Sequence, residues 1–321
     1  MKLKINSSTT TTTTTKDKDR EPKTNNASNK NNEKYEMLIE WFQKKFKDSN
    51  DKILIALSGG VDSAVVALAA KNALGKQNVL AVTANYQTLS NEELNTAIRV
   101  ANELDIHHKI IEYNELENPD FIKNDETRCF HCRNELADHL IEIAIKENFK
   151  LIVDGSNSDD LNDYRPGMQA LHKKGVKSPL IETSLNKKEI RSLAEFYKLS
   201  VYDKPSNACL ASRILKNIKI TSPKLKRIEN CELLIKDIFK VKQVRVRDHG
   251  DLARIEVEKE EIIKLFDLEK LEQIEIPFKD QGFKHITIDI EGYKKSGSQF
   301  MLNHTADNLF IQKKTRHDDN S

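Results

Sequence analysis

The sequence predicts an α/β chain: a doubly wound parallel sheet followed by a smaller α+β domain. Two observations carry this reading. From residue 37 to about residue 205 short apolar runs alternate with helical stretches, the rhythm of parallel strands joined by crossover helices. Beyond Pro205 the rhythm changes to a helix, two strand-like runs, a further helix and a last strand. A chain of 321 residues is long enough for both parts to bury a core.

Taken in order, residues 6–36 contain only Ala27 and Tyr35 as apolar residues and include an unbroken Thr run at 9–15. Such a stretch cannot offset its ordering entropy, so residues 1–36 are expected to form a disordered tail. Order is expected to begin at Met37, where Met37, Leu38, Trp41, Phe42 and Phe46 recur at helical spacing. Strands are predicted at 53–57, 79–82, 108–111 and 151–153, with helices over 62–74, 91–104, 134–148 and 187–197. The second part is predicted to hold a helix over 223–239, strands at 243–247 and 253–257, a helix near 260–266 and a strand at 286–290. The expected division is 37–208 for the nucleotide-binding domain and 209–311 for the α+β domain, with a solvated tail at 312–321.

The 52 basic and 50 acidic residues leave a net charge of +2, so no broad nucleic-acid-binding face is expected. No apolar run approaches the roughly 18 residues that span a bilayer. The N-terminus lacks the apolar centre of a signal peptide. A cytoplasmic protein without membrane partners is expected. Four cysteines are too few for a disulfide scaffold, and Cys129-x-x-Cys132 in a reducing compartment points to metal, cluster or redox chemistry.

Ser58-Gly59-Gly60-Val61-Asp62-Ser63 falls between the first strand and the first helix, where open α/β sheets bind ligands. Paired glycines let backbone N–H groups approach phosphate oxygens, and the helix N-terminus adds its dipole. Ser58 and Ser63 supply hydroxyl donors, and Asp62 can hold the Mg²⁺ that accompanies a pyrophosphate. The motif is neither the Walker nor the dinucleotide pattern. It resembles the PP-loop of ATP pyrophosphatases, which cleave ATP between its α and β phosphates to adenylate a substrate.

Cys209 lies in a loop at the expected domain junction between Lys204 and Arg213, cations that would favour its thiolate. Cys231 shares a helical face with Ile228, Ile235 and Ile238, as a core residue would. A site built by Cys129, Cys132 and Cys209 is therefore favoured over one using all four. The acidic run 154–160, ending at Asp160, follows a strand and suits a metal or ribose, or is an ordinary turn. Arg245 and Arg247 alternate on one strand face, and face either an anion or an acid such as Glu256.

These stretches, with Asp163 to Gly167, Ala253 to Val257 and Asp289 to Tyr293, resemble in order the LarE family of pyridinium-3,5-biscarboxylic acid mononucleotide sulfurtransferases. The resemblance covers residues 53–298 and neither tail. It implies an ATP- and Mg²⁺-dependent enzyme that adenylates a carboxylate of a pyridinium mononucleotide and converts it to a thiocarboxylate, in building the nickel-pincer nucleotide of lactate racemase. The family has two sulfur strategies. In one, the cysteine matching Cys209 surrenders its own sulfur and becomes dehydroalanine. In the other, three cysteines bind a [4Fe-4S] cluster, and Cys129 and Cys132 are the additional pair this form requires. The resemblance thus implies a cluster on Cys129, Cys132 and Cys209, fed by an unidentified sulfide donor, in a homo-oligomer. It also implies that Arg213 and Glu232 act with Cys209, that Asp160 joins the phosphate loop in cofactor binding, and that Arg245 and Arg247 meet the substrate phosphate. A tRNA thiolase with the same loop, an ammonia-using synthetase and a non-catalytic nucleotide- or metal-binding regulator are the competing readings.

Overall fold

Strand β1 (Ile53–Ala56) determines how the first sheet is covered, because its side chains point alternately into two apolar layers. Ile53 and Ile55 enter one core and Leu54 another. A strand buried on both faces must read as a continuous apolar run, which is why its sequence is so plain. The computed structural model describes residues 24–48 and 50–293. In chain order the first part runs α1 (Thr24–Lys45), β1, α2 (Val61–Leu74), β2 (Val79–Asn85), α3 (Asn91–Glu103), β3 (His107–Glu112), α4 (Pro119–Ile122), α5 (Arg128–Lys146), β4 (Leu151–Val153), α6 (Pro166–Lys173), α7 (Pro179–Glu182) and α8 (Lys187–Phe196).

The sheet is parallel with order β3-β2-β1-β4, and Ile53 pairs with both Val79 and Leu151. Helices α1, α2, α3 and α8 cover one face and α5 the other, as the doubly wound reading expects. The chain moves outward from β1 through β2 to β3, then crosses back to β4. The carboxyl ends of β1 and β4 therefore flank the topological switch point. Local signals place the helix starts: Ser90 accepts from Glu93 N–H at α3, and Asn186 with Glu189 forms a reciprocal capping box at α8.

The second part comprises α9 (Ser222–Phe239), β5 (Val244–Asp248), β6 (Leu252–Val257), α10 (Leu268–Asp280) and β7 (His285–Ile288). Strands β5 and β6 are antiparallel and β7 lies parallel to β6. Its core packs Cys231, Ile235 and Phe239 of α9 on Val244, Val246, Ile255 and Phe278. A further cluster joins the two parts: Phe121 of α4 meets Leu210, Ala211, Ile214, Leu225 and Ile228, with Cys132 and Cys209 against it. Among the described residues no helix is long and apolar enough to cross a membrane.

Four expectations need correction. The chain is helical from Thr24, and Tyr35, 1% exposed, stacks on Tyr197 and accepts a hydrogen bond from Asn72. One aromatic ring docked on α8 and α2 outweighs the polar composition around it. The tail expected through residue 36 is thus too long; residues 1–23 and the tail at 312–321 lie outside the described residues. Helix α5 begins at Arg128, so the cysteine pair lies within the helix. Residues 259–265 form a 3₁₀ segment in place of the predicted helix. Helix α10 is not among the predicted elements; its Pro277 falls in the last turn, with Ile274 and Phe278 buried.

Candidate active site

The phosphate loop is built largely from its own backbone. Gly59 has φ +74°, and a Cβ there would lie 2.8 Å from the Glu93 carbonyl oxygen and 3.0 Å from the Ala97 nitrogen, so α3 leaves room only for glycine. Gly60 is the N-cap of α2 and offers no side chain to the first-turn amides, leaving them for an anion. The Ser63 hydroxyl donates to the Gly60 carbonyl at 3.1 Å and accepts from the Ser58 N–H at 3.2 Å, which closes the loop on itself. Behind it, a Cβ on Gly155 would lie 2.7 Å from the Ser63 nitrogen, so the loop after β4 abuts the start of α2.

Asp62 has one oxygen held by the Lys187 ammonium, whereas Oδ1 is buried without a hydrogen-bond partner. Burial raises its pKa and the nearby Asp160 adds to the effect, while Lys187 opposes both. A buried carboxylate oxygen lacking a donor, beside a second carboxylate, suits a divalent cation. Mg²⁺ fits here on that ground. Asp160 is itself buried, accepts from the Asn157 N–H at 3.0 Å and pairs with Arg165 at 2.9 Å. A cleft of about 530 Å³ adjoins this end, lined by Lys187, Lys188, Arg191 and Tyr202 among others.

On the sulfur side, Cys129 and Cys132 stand three residues apart at the start of α5 and share a helix face. Cys209 immediately precedes a 3₁₀ turn, Leu210–Arg213, whose Leu210 N–H donates to the Thr88 carbonyl at 2.9 Å. Cys132 is pushed up to about 12 by burial, which Arg133 opposes and the neighbouring Cys209 and Cys129 reinforce. Cys132 and Cys209 pack against the same apolar cluster, and Cys129 lies one helical turn from Cys132. Among the described residues no three His, Cys, Asp or Glu side chains group around a single ion position. A four-iron cluster requires less convergence, because each thiolate holds a different iron.

The cations expected to activate Cys209 are used otherwise. Lys204 donates to Glu93 at 2.9 Å and to the Gly59 carbonyl at 3.3 Å, so it braces the phosphate loop. Arg213, 1% exposed, donates to the carbonyls of Ala208 and Cys209 and to Asn207 Oδ1. Glu232 accepts from Arg213 Nε at 2.9 Å and from the Val246 N–H at 3.0 Å. Arg213 therefore holds the shape of the Cys209 loop, and Glu232 fastens Arg213 to β5.

Arg245 and Arg247 part company. Arg247 donates twice to Glu256 Oε2, at 3.0 and 2.9 Å, and to the Ser212 carbonyl at 2.7 Å. Among the described residues Arg245 has no carboxylate partner. It is 2% exposed, its Nε lacks any hydrogen bond, and its guanidinium lies 3.7 Å from the ring centre of Tyr293. Burial lowers its pKa to about 10, with Arg213 adding to the effect. A buried cation without an acid is poised for an anionic ligand.

Sequence reasoning missed Lys187, Tyr293, the brace role of Lys204 and the arginine preceding Cys129. Only Lys187 had a local signal, its position just after the Asn186 cap.

The NAD synthase family profile matches residues 34–145. An uncharacterized protein of Synechocystis sp. is 40% identical over 244 residues, covering 76% of this chain and 90% of that protein. One of Methanocaldococcus jannaschii is 32% identical over 252 residues, covering 78% and 94%. The pyridinium-3,5-bisthiocarboxylic acid mononucleotide synthase of Lactiplantibacillus plantarum is 28% identical over 243 residues, covering 76% and 87%.

Proposed function

Because this chain belongs to the LarE family of the PP-loop ATP pyrophosphatase superfamily, we propose that it adenylates a carboxylate of pyridinium-3,5-biscarboxylic acid mononucleotide and replaces the adenylate by sulfur. The observation that carries the reading is the junction segment: Lys204 touches the phosphate loop at Gly59, and a few residues on Cys209 packs against the same apolar cluster as Cys132. Activation and sulfur delivery would then share one cleft.

In the first step a carboxylate oxygen attacks the α-phosphorus of ATP, the bond to the β-phosphate breaks, and pyrophosphate leaves. The amides that open α2, with Ser58 and Ser63, hold the departing charge, and Asp62 and Asp160 would hold Mg²⁺. Adenylation is required because a carboxylate is a poor electrophile and AMP a good leaving group. Arg245 grips the phosphate or second carboxylate of the substrate, while Arg213 and Glu232 keep the Cys209 loop in position. A [4Fe-4S] group on Cys129, Cys132 and Cys209 would supply a nucleophilic sulfide, renewed by an external sulfide donor. The acyl carbon then gains sulfur and AMP departs.

Pyrophosphate release that depends on the pyridinium mononucleotide, and is not elicited by tRNA, is the expected result. Release with tRNA alone would move the protein among the thiolases. A second reading, in which Cys209 surrenders its own sulfur, needs no other cysteine, only the loop that Arg213 shapes around Cys209. Iron and sulfide analysis after anaerobic purification separates the two, together with mass spectrometry for dehydroalanine at position 209.

A further inference from the structure

Arg128 opens α5 directly before Cys129, and its guanidinium reaches three ways. Nη1 donates to Asn124 Oδ1 at 2.7 Å and to the Ala211 carbonyl at 3.1 Å, and Nη2 lies 3.6 Å from Cys129 Sγ. Asn124 is fully buried with φ +58° and donates to the carbonyls of Leu215 at 3.0 Å and Ile218 at 3.1 Å. One pair of side chains thus ties the first turn of α5 to the turn that follows Cys209 and to the segment beyond it. No carboxylate among the described residues pairs with Arg128, and its buried Nε has no hydrogen-bond partner. A planar fork can bond two backbone-anchored acceptors and a sulfur at once, which an ammonium cannot do with fixed geometry.

We propose that Arg128 is the positioning residue that assembles the sulfur site, holding the Cys209 loop against the Cys129 and Cys132 face of α5. The inference rests on reading these three cysteines as one site, and it concerns the protein before any iron is bound. Cys129 and Cys132 need no such help, since one helical turn sets their spacing. Cys209 does, because it reaches them only through tertiary contacts.

The test uses the reduced, iron-free full chain and dibromobimane, which bridges two nearby thiols by displacing both bromides; peptide mass spectrometry reads the bridges. The wild type should give both Cys129–Cys132 and Cys132–Cys209 bridges. In Arg128→Gln the Cys132–Cys209 yield should fall about tenfold relative to the Cys129–Cys132 yield, the scale of losing charge-assisted hydrogen bonds. Arg128→Lys should recover only part of it. An unchanged ratio in a folded Arg128→Gln protein overturns the proposal, as does a wild type that forms no Cys132–Cys209 bridge. If Arg128→Gln lacks a cooperative melt, the same ratio in Arg128→Lys decides, and no change there is equally fatal. A wild type that bridges Cys132 to Cys209 but takes up no iron on anaerobic reconstitution supports the positioning role while removing the cluster reading.

Discussion

The phosphate loop and the sulfur junction differ in how far apart their parts lie in the chain. Residues 58–63 fold back on themselves through Ser63, and the neighbouring α3 only limits the space at Gly59. The junction joins α5 to the Cys209 loop across 83 positions, through Arg128 and Ala211, and keeps its shape by Arg213 and Glu232. A loop closed mainly by its own backbone, with Lys204 as its remote brace, is less sensitive to distant side-chain changes than a junction held by several long-range side-chain bonds.

The largest expected effect separates the two regions outright. Cys209→Ala should abolish thiocarboxylate formation, followed by mass spectrometry of the nucleotide, and leave substrate-dependent pyrophosphate release intact. If both vanish, the regions are not independent. Next, Asp62→Asn should lower pyrophosphate release on the order of 10²-fold through weakened cation and phosphate stabilisation. Its thermal midpoint should stay near wild type, since the contact with Lys187 is partly solvated. A wild-type release rate would remove the phosphate-loop assignment.

The paired arginines sharpen the junction side. Arg245→Gln should raise KM for the mononucleotide about tenfold with kcat little changed, as loss of uniform binding requires. Arg247→Gln should instead cost about 1–2 kcal/mol in denaturant unfolding, because Glu256 is left to Arg254 alone. Equal effects of the two on KM would refute the division between free and paired cation. The smallest effect belongs to Cys231, whose replacement by Ala should cost about 1 kcal/mol and no activity. Burial pushes its thiol up to about 12, so below that value its alkylation should rise about tenfold per pH unit through the alkaline range. A rate that levels off near neutral pH would contradict this burial.

What the sequence determined by itself was whatever depends on neighbours in the chain. The apolar runs at β1 and β2, the Ser58 to Ser63 loop between strand and helix, and the helical face bearing Cys231 were legible because period and turn chemistry act over a few residues. Tertiary structure decided the partners. Arg245 and Arg247 look alike in sequence, and the register even sets Arg245 opposite Glu256, yet Glu256 pairs diagonally with Arg247 and with Arg254 on its own strand, while Arg245 lies over the Tyr293 ring. Lys204 and Arg213 both flank Cys209, yet one is drawn to the phosphate loop and the other to backbone carbonyls. Tyr35 is ordered because α8 supplies Tyr197, far along the chain. In each case a local pattern supplies a side chain with a given reach and charge, but the free energy of its contact depends on which group the fold brings within a few ångströms, and that is decided only when distant segments pack together.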